Sequence, residues 1–337
     1  MSRVLPVSSR EPYRMGSIHH INSRTAMADG PHIVITDCDL GDTDIEEELL
    51  ISGLDARVTV ARCKSEDDVI DAAGDADALL VQWAPITARV LEALPHLRAI
   101  SRYGIGLDMI DLDAARTRGI EVANVPHYCT EEVASHAAAL LLALWRRLPA
   151  LDRSVRAGRW EPVPVMAGVK PLSSATLGLL GAGRIAQLTA RPFTALGTRV
   201  VAYDPYATAT PGVIELVGLD ELADADLISL HAPLNAETRH LVDAAFLSRL
   251  KSHAVLVNTA RGALVDTAAL IDALRGERIA GAGLDVYETE PLPAHHELTS
   301  LERVLITPHA AWCSTDALPT LQRQAAENLL RLLAPSA

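Results

Sequence analysis

Three residues late in the chain, Arg261, Glu290 and His309, bring together a guanidinium, a carboxylate and an imidazole. Proteins hold small anions and move protons with groups of these types. They follow a glycine-rich turn, Gly181-Ala-Gly183-Arg184-Ile185-Ala186, which leads to Asp204 after a further apolar run. In that order the chain reads as a dinucleotide held in place, with a hydride-transfer site beside it.

The turn takes its meaning from its setting, because G-x-G-x-x-G or its alanine variant alone is a weak signal. It follows the apolar run Thr176–Leu180, opens a helix expected from about Arg184 to Leu196, and precedes a strand ending at Asp204. Gly181 permits a tight turn, Gly183 lets backbone approach a pyrophosphate, and Ala186 is small enough for helix-on-strand packing. Arg184 and Ile185 offer backbone N–H groups at the positive end of the helix. Asp204 can accept hydrogen bonds from an adenosine ribose diol and would repel a 2′-phosphate. With Pro205 and Tyr206 adding no positive charge, NAD is expected over NADP.

These residues need elements to position them. From His32, short β-rich runs alternate with helix-like segments. The expected strands are His32–Thr36, Val58–Ala61, Ala78–Val81, Ala99–Ser101 and Glu121–Asn124. Between them, helices are expected over Thr43–Ser52, Ser65–Ala73, Thr87–Leu94 and Leu112–Arg118, with Ser65-Glu-Asp-Asp68 fitting a capping box. A long helix is expected from Glu131 to about Leu148 as a buried connector, then an excursion punctuated by Pro162, Pro164, Gly168 and Pro171. A second alternation places strands at Thr176–Leu180, Arg199–Tyr203, Leu227–Leu230, Ala254–Asn258, Gly283–Val286 and Val304–Ile306. Strict alternation implies parallel sheets covered by helices.

The 337 residues exceed what one core usually supports and suggest two domains. With 49% hydrophobic but only 4% aromatic residues, the interior is expected to be aliphatic. A net charge of −13 argues against generic affinity for nucleic acid or anionic membranes. The longest clean apolar run, Ala137–Trp145, is about half of a membrane span. Cys38, Cys63, Cys129 and Cys313 form no metal-ligand pattern, and His19-His20 and His295-His296 are expected to face solvent, so no metal is expected. A reducing, cytoplasmic setting fits this usage. Residues 1–30 lack periodicity and are expected to be a disordered leader, with Met15 and Met27 as other possible starts.

Four motifs in one order resemble the D-isomer-specific 2-hydroxyacid dehydrogenases, over residues from about 32 to 334. They are Arg102-Tyr-Gly-Ile-Gly-Leu-Asp108, the glycine turn, Asn258-Thr-Ala-Arg261-Gly-Ala-Leu-Val-Asp266, and Leu284-Asp285-Val-Tyr-Glu-Thr-Glu290-Pro291 leading to Thr307-Pro-His309-Ala-Ala-Trp312. The resemblance implies two doubly wound α/β domains. A Rossmann NAD-binding domain (126–309) is inserted into a flavodoxin-like substrate-binding domain (31–125 and 310–337), onto which a C-terminal helix from Ser314 to about Leu333 crosses back.

By the same resemblance, His309 is the general acid and base, Glu290 fixes its tautomer, and Arg261 binds the substrate carboxylate. Taken as isolated residues, Arg261 and Glu290 could instead be a structural ion pair, and His309 could cap a loop. Asp285 is implied to hold the nicotinamide carboxamide. Arg102, Gly104, Ile105 and Gly106 make the substrate-side loop, while His231, Ala232, Pro233, Thr238, Thr259 and Ala260 belong to cofactor contacts.

Some positions depart from parts of the family. Phosphoglycerate dehydrogenases tend to carry an arginine just after the third strand, where this chain has Gln82-Trp83, and the sequence stops at Ala337 without a regulatory domain; phosphoglycerate is disfavoured. Trp312 resembles the C-terminal-binding-protein branch, and with Trp83 could wall a pocket for a bulkier 2-keto acid. Met109 and Ser135 replace frequent residues without an assigned consequence. The expected function is reversible NADH-dependent reduction of a 2-keto acid to a D-2-hydroxy acid, in a homodimer to which the helix after Thr130 contributes. The alternative is an NAD(H)-sensing, corepressor-like interaction module.

Overall fold

The computed structural model describes residues 30–207 and 214–334. The expected leader, Gly30 apart, and the His19-His20 pair lie outside them. Among the described residues there are twelve strands: β1 His32–Ile35, β2 Arg57–Val60, β3 Ala78–Val81, β4 Ala99–Arg102, β5 Glu121–Ala123, β6 Thr176–Leu180, β7 Arg199–Tyr203, β8 Ile214–Leu216, β9 Leu227–Leu230, β10 Val255–Asn258, β11 Gly281–Leu284 and β12 Val304–Ile306. They form two wholly parallel sheets, ordered β2-β1-β3-β4-β5 and β12-β11-β10-β9-β6-β7-β8.

In the first sheet, β1, β3 and β4 are buried along their whole length. Helices cover both faces, which is why these strands are almost unbroken apolar runs. The C-terminal helix Ala317–Leu333 returns to this sheet and packs beside the helix Asp44–Leu54. Polar bonds fix its register: Ser101 Oγ donates to the Ala325 carbonyl (2.8 Å), and Asn328 Nδ2 donates to the Asn124 carbonyl (3.0 Å). The expected capping box forms, with Asp68 N donating to Ser65 Oγ and Ser65 N to Asp68 Oδ2.

In the second sheet β6 lies between β7 and β9, so the strand order reverses where the glycine turn leaves the sheet. That reversal point is where dinucleotides bind in doubly wound folds. The helix Thr130–Trp145 packs its apolar face on the same sheet.

Two expectations need correction, and one strand was not foreseen. The connector helix stops at Trp145 rather than Leu148, and the chain turns through Arg147 (φ 51°) into a new helix, Leu148–Arg156. Pro149 has no N–H for the carbonyl of Trp145 and its ring would collide with it. β11 begins at Gly281 and ends at Leu284, two residues before the expected strand. The glycines there serve close packing: a Cβ on Gly283 would lie 3.2 Å from Leu140 and Leu144 of the connector helix. β8, a three-residue edge strand whose Ile-Glu-Leu alternation is too short to stand out, was not among the expected strands. Among the described residues no helix is long and apolar enough to cross a membrane, and no His/Cys/Asp/Glu group could hold a metal.

Candidate active site

The C-terminal ends of strands from both sheets border one cleft of about 780 Å3. Trp83 and Arg102 enter it from the ends of β3 and β4, Arg261 from beyond β10, Asp285 from just after β11, and His309 from the loop after β12.

His309 Nδ1 lies 2.7 Å from Glu290 Oε2, and Glu290 Oε1 accepts from the Tyr287 amide at 2.8 Å. The carboxylate is therefore fixed by backbone and holds one ring nitrogen, leaving Nε2 for a group in the cleft. The His309 backbone is left-handed (φ 52°) and its N–H donates to the Asp285 carbonyl. Asp285 is fully buried. Its Oδ1 accepts from Thr307 Oγ1 (2.6 Å) and Ala310 N (2.9 Å), and its Oδ2 from Ala311 N (2.9 Å), so it ties down the loop carrying His309 as well as lining the cleft. His136, from the connector helix, reaches Thr307 Oγ1 at 3.0 Å.

Arg261 does not pair with Glu290. Its Nε donates to Asp108 Oδ1 (2.8 Å) and its Nη1 to the Ala260 carbonyl (2.8 Å), which leaves Nη2 turned toward Gly106. Burial alone would raise the Asp108 carboxyl, but the charge and hydrogen bond of Arg261 outweigh it and hold it below the usual range. Asn258 shapes the turn, accepting from Ala260 N and donating to the Arg261 carbonyl. Arg102 is 4% exposed, its Nε has no partner, and its guanidinium lies 5.3 Å above the Trp83 ring. Burial, then the like charge of Arg261, brings its pKa down to about 10. Two guanidinium groups against a single carboxylate make this end of the cleft a receptor for an anion.

Gly104 and Gly106 are required by these arginines. Gly104 (φ 129°) lies against Arg102, and a Cβ on Gly106 would reach 2.6 Å from Arg261 Cζ. Ile105, Ile185 and Trp312 meet around Cys129, Val133 and Ala311 on the cleft wall, with Trp312 tilted against Tyr128 at 6.2 Å. Trp83 instead meets His309 edge-on at 5.1 Å. The two tryptophans thus line one cleft through separate contacts.

The residues suit a dinucleotide. Gly181 (φ 96°) abuts His231 and Ala232, where a Cβ would come within 2.9–3.0 Å of backbone, whereas a Cβ on Gly183 would meet nothing within 4 Å, leaving the space a pyrophosphate needs. Ala186 is fully buried against the sheet. Asp204 accepts from Ala182 N (2.9 Å) and Tyr206 N (3.0 Å), which fixes its carboxylate beside the turn. Besides Arg102 Nε, two buried polar atoms on cleft-lining residues, His231 Nε2 and Thr259 Oγ1, have no protein partner, and burial pushes the His231 ring down to about 4. Such orphaned groups are costly unless a ligand satisfies them. Pro233 and Ala260 also line the cleft. Thr238 does not: its hydroxyl donates to the Pro233 carbonyl and accepts from Asn235 N, closing a local turn. The Arg184 guanidinium turns away to His127 and the Pro126 carbonyl, so only its backbone N–H serves the turn.

Sequence reasoning did not single out Asp108, Tyr128, His136 or Thr307. Asp108 and Thr307 stood inside quoted motifs, an acid six residues after Arg102 and a hydroxyl two residues before His309 being the available signals. The others depend on contacts between distant elements.

Residues 138–311 match the family model described as D-isomer specific 2-hydroxyacid dehydrogenase, NAD binding domain. The chain is 43% identical over 273 residues to a D-3-phosphoglycerate dehydrogenase of Mycobacterium tuberculosis, covering 80% of this chain and 51% of that protein. It therefore spans about half the length of such relatives. It is 38% identical over 278 residues to a glyoxylate reductase of Thermofilum pendens, covering 80% and 82%. A D-lactate dehydrogenase from Aquifex aeolicus, solved with NAD and lactic acid, superposes with a TM-score of 0.81 at 28% identity over 89% of this chain and 95% of that one.

Proposed function

The chain belongs to the D-isomer-specific 2-hydroxyacid dehydrogenases, and from that premise we propose that it is an NAD-dependent oxidoreductase interconverting a 2-keto acid and a D-2-hydroxy acid. The observation that carries this reading is the arrangement in the cleft: an imidazole anchored through Nδ1 by Glu290, together with Arg261, paired to Asp108, and the buried Arg102, whose Nε has no partner. On this reading residues 31–125 and 310–337 make the substrate-binding half, and 126–309 the cofactor-binding half.

Bound NADH supplies the hydride. Arg261, with a fork geometry that a lysine lacks, and the N–H groups of Ile105 and Gly106 hold the substrate carboxylate, while the Gly104 N–H stays on the Arg102 carbonyl. His309 donates the Nε2 proton to the carbonyl oxygen and takes it back in the reverse direction. Glu290 fixes the proton on Nδ1 and balances the charge on the ring. Asp285 keeps the His309 loop in register, and closure of the two halves excludes water from the reacting atoms.

The side chain of the substrate meets Trp83, Trp312 and Tyr128, which favours a 2-keto acid with an apolar substituent over a phosphorylated one. The protein acts in the reducing cytoplasm, in keeping with four unpaired cysteines. The nucleotide-sensing alternative has no observation of its own in its favour. We also place the homodimer contact elsewhere than the helix after Thr130, whose apolar face already packs on its own sheet. Leu148, Val155, Trp160 and Val163, on the segment that follows, are apolar and exposed.

The test is NADH oxidation across glyoxylate, hydroxypyruvate, phenylpyruvate, 4-methylthio-2-oxobutyrate and phosphonopyruvate, with His309→Gln as the control. Turnover of an apolar 2-keto acid that vanishes in the control is expected. Oxidation that persists unchanged in the control would remove His309 from the chemistry and the proposal with it.

A further inference from the structure

Asp37 lies at the end of β1, outside every motif that carries the function, and is nine-tenths buried. Its carboxylate receives three consecutive backbone amides from the neighbouring β3 end: Gln82 N to Oδ1 (3.1 Å), Trp83 N to Oδ2 (2.5 Å) and Ala84 N to Oδ2 (3.1 Å). Thr36 Oγ1 adds a fourth bond to Oδ1 (2.7 Å). The tie is reciprocal, since Gln82 Oε1 accepts from Asp39 N at 2.7 Å. A carboxylate, with acceptors on both oxygens, can satisfy three adjacent N–H groups, whereas an amide would turn its NH2 against at least one of them.

The loop so held carries one group into the cleft. Trp83 is 41% exposed, meets the His309 ring edge-on, and lies beneath the Arg102 guanidinium. Its indole therefore has little packing of its own to fix it, and its backbone must be fixed instead.

We propose that Asp37 is a positioning residue for substrate recognition: by clamping the 82–84 amides it sets the Trp83 indole as the wall that a 2-keto acid side chain meets beside His309. This rests on the dehydrogenase reading for its kinetic consequence, but the clamp itself is measurable without turnover. No part of the action requires Asp37 to touch substrate. A residue that works only through Trp83 has no effect once Trp83 is gone.

The experiment combines hydrogen exchange with a double-mutant cycle on the full chain. In Asp37→Asn, the 82–84 amides are expected to exchange at least about tenfold faster, while the strand amides of β1 and β4 keep their protection. kcat/KM for phenylpyruvate is expected to fall about tenfold, mainly through KM, with glyoxylate, which has no side chain, changed less than about twofold. In a Trp83→Ala background the same substitution is expected to cost nothing further. Unchanged exchange at 82–84 overturns the clamp; equal losses in both backgrounds, or equal losses for both substrates, overturn its route through Trp83. A chain that turns over no 2-keto acid at all refutes the dehydrogenase reading, and the exchange result still decides the clamp. Should Asp37→Asn fail to fold, Gln82→Ala, which removes only the reciprocal bond to Asp39, is expected to show the same substrate-dependent loss to a smaller degree, and loss independent of substrate would overturn the proposal.

Discussion

A methyl group at position 106 is expected to disable the carboxylate site while leaving the fold and the nucleotide half intact. The Gly106 backbone is not in the left-handed region, so Gly106→Ala carries no conformational strain. The added Cβ would lie 2.6 Å from Arg261 Cζ and 2.7 Å from Asp108 Oδ1, and closer still to Arg261 Nη2. The guanidinium is the end of a flexible side chain and must swing away, since the Asp108 and Ala260 bonds that aim it do not leave room for both groups. A hydrogen bond to a charged group contributes about 1.5–3 kcal/mol. Loss of the two N–H contacts of Nη2 to the substrate carboxylate is then about 3–6 kcal/mol, or roughly 100- to 20,000-fold in kcat/KM at about 1.4 kcal/mol per tenfold. The assay is steady-state NADH oxidation, with NADH affinity by fluorescence and thermal melting as controls. If Gly106→Ala keeps kcat/KM within about threefold of the parent, Arg261 is not the carboxylate receptor and the assignment of that end of the cleft is wrong.

Four other outcomes follow from the same geometry. Gly183→Val should fold normally but weaken NADH binding by about a hundredfold or more, because its side chain fills the space left at the turn; binding titration checks this, and unchanged affinity refutes it. Asp285→Asn should turn an NH2 against the Ala311 N–H, destabilising by about 1–3 kcal/mol in denaturant melts and lowering kcat as the His309 loop shifts; undiminished kcat would detach Asp285 from that loop. Burial holds the Glu46 carboxyl above the usual range, so its contribution to stability is full below the unfolded value and is lost as pH rises through the folded one. Glu46→Gln should therefore gain on the parent in melting temperature from mildly acidic to neutral pH, and a constant difference would refute the sign. Trp160, 83% exposed, should belong to the subunit contact; Trp160→Asp should shift sedimentation toward monomer, and an unaltered profile would place the contact elsewhere.

Much of the fold was legible because parallel sheets buried on both faces write themselves as short apolar runs between capped helices. β3, β6, β7, β9 and β12 stand where their sequences put them. β11 was expected two residues late, because Gly281 and Ala282 carry no strand-like side chain, while Gly281 and Gly283 serve as the floor under Leu140 and Leu144. The connector helix ran on in the sequence because its apolar spacing continues past Trp145, and Pro149 decides its end. In the cleft, the motifs announced His309, Glu290 and Arg261, and the resemblance paired the first two, but nothing announced the carboxylate that holds Arg261. That Arg261 pairs with Asp108 across 153 positions, or that Asp37 holds Trp83 from 46 positions away, is a product of strand order and leaves no local pattern to read.

The measurement that bears most directly on the central claim is a single turnover of enzyme, NADH and phenylpyruvate with chiral analysis of the product. The account predicts stoichiometric D-2-hydroxy acid, and none above background with His309→Gln. An L or racemic product would contradict the assigned faces of the cleft, and D product formed equally fast without the imidazole would contradict its role as the proton donor.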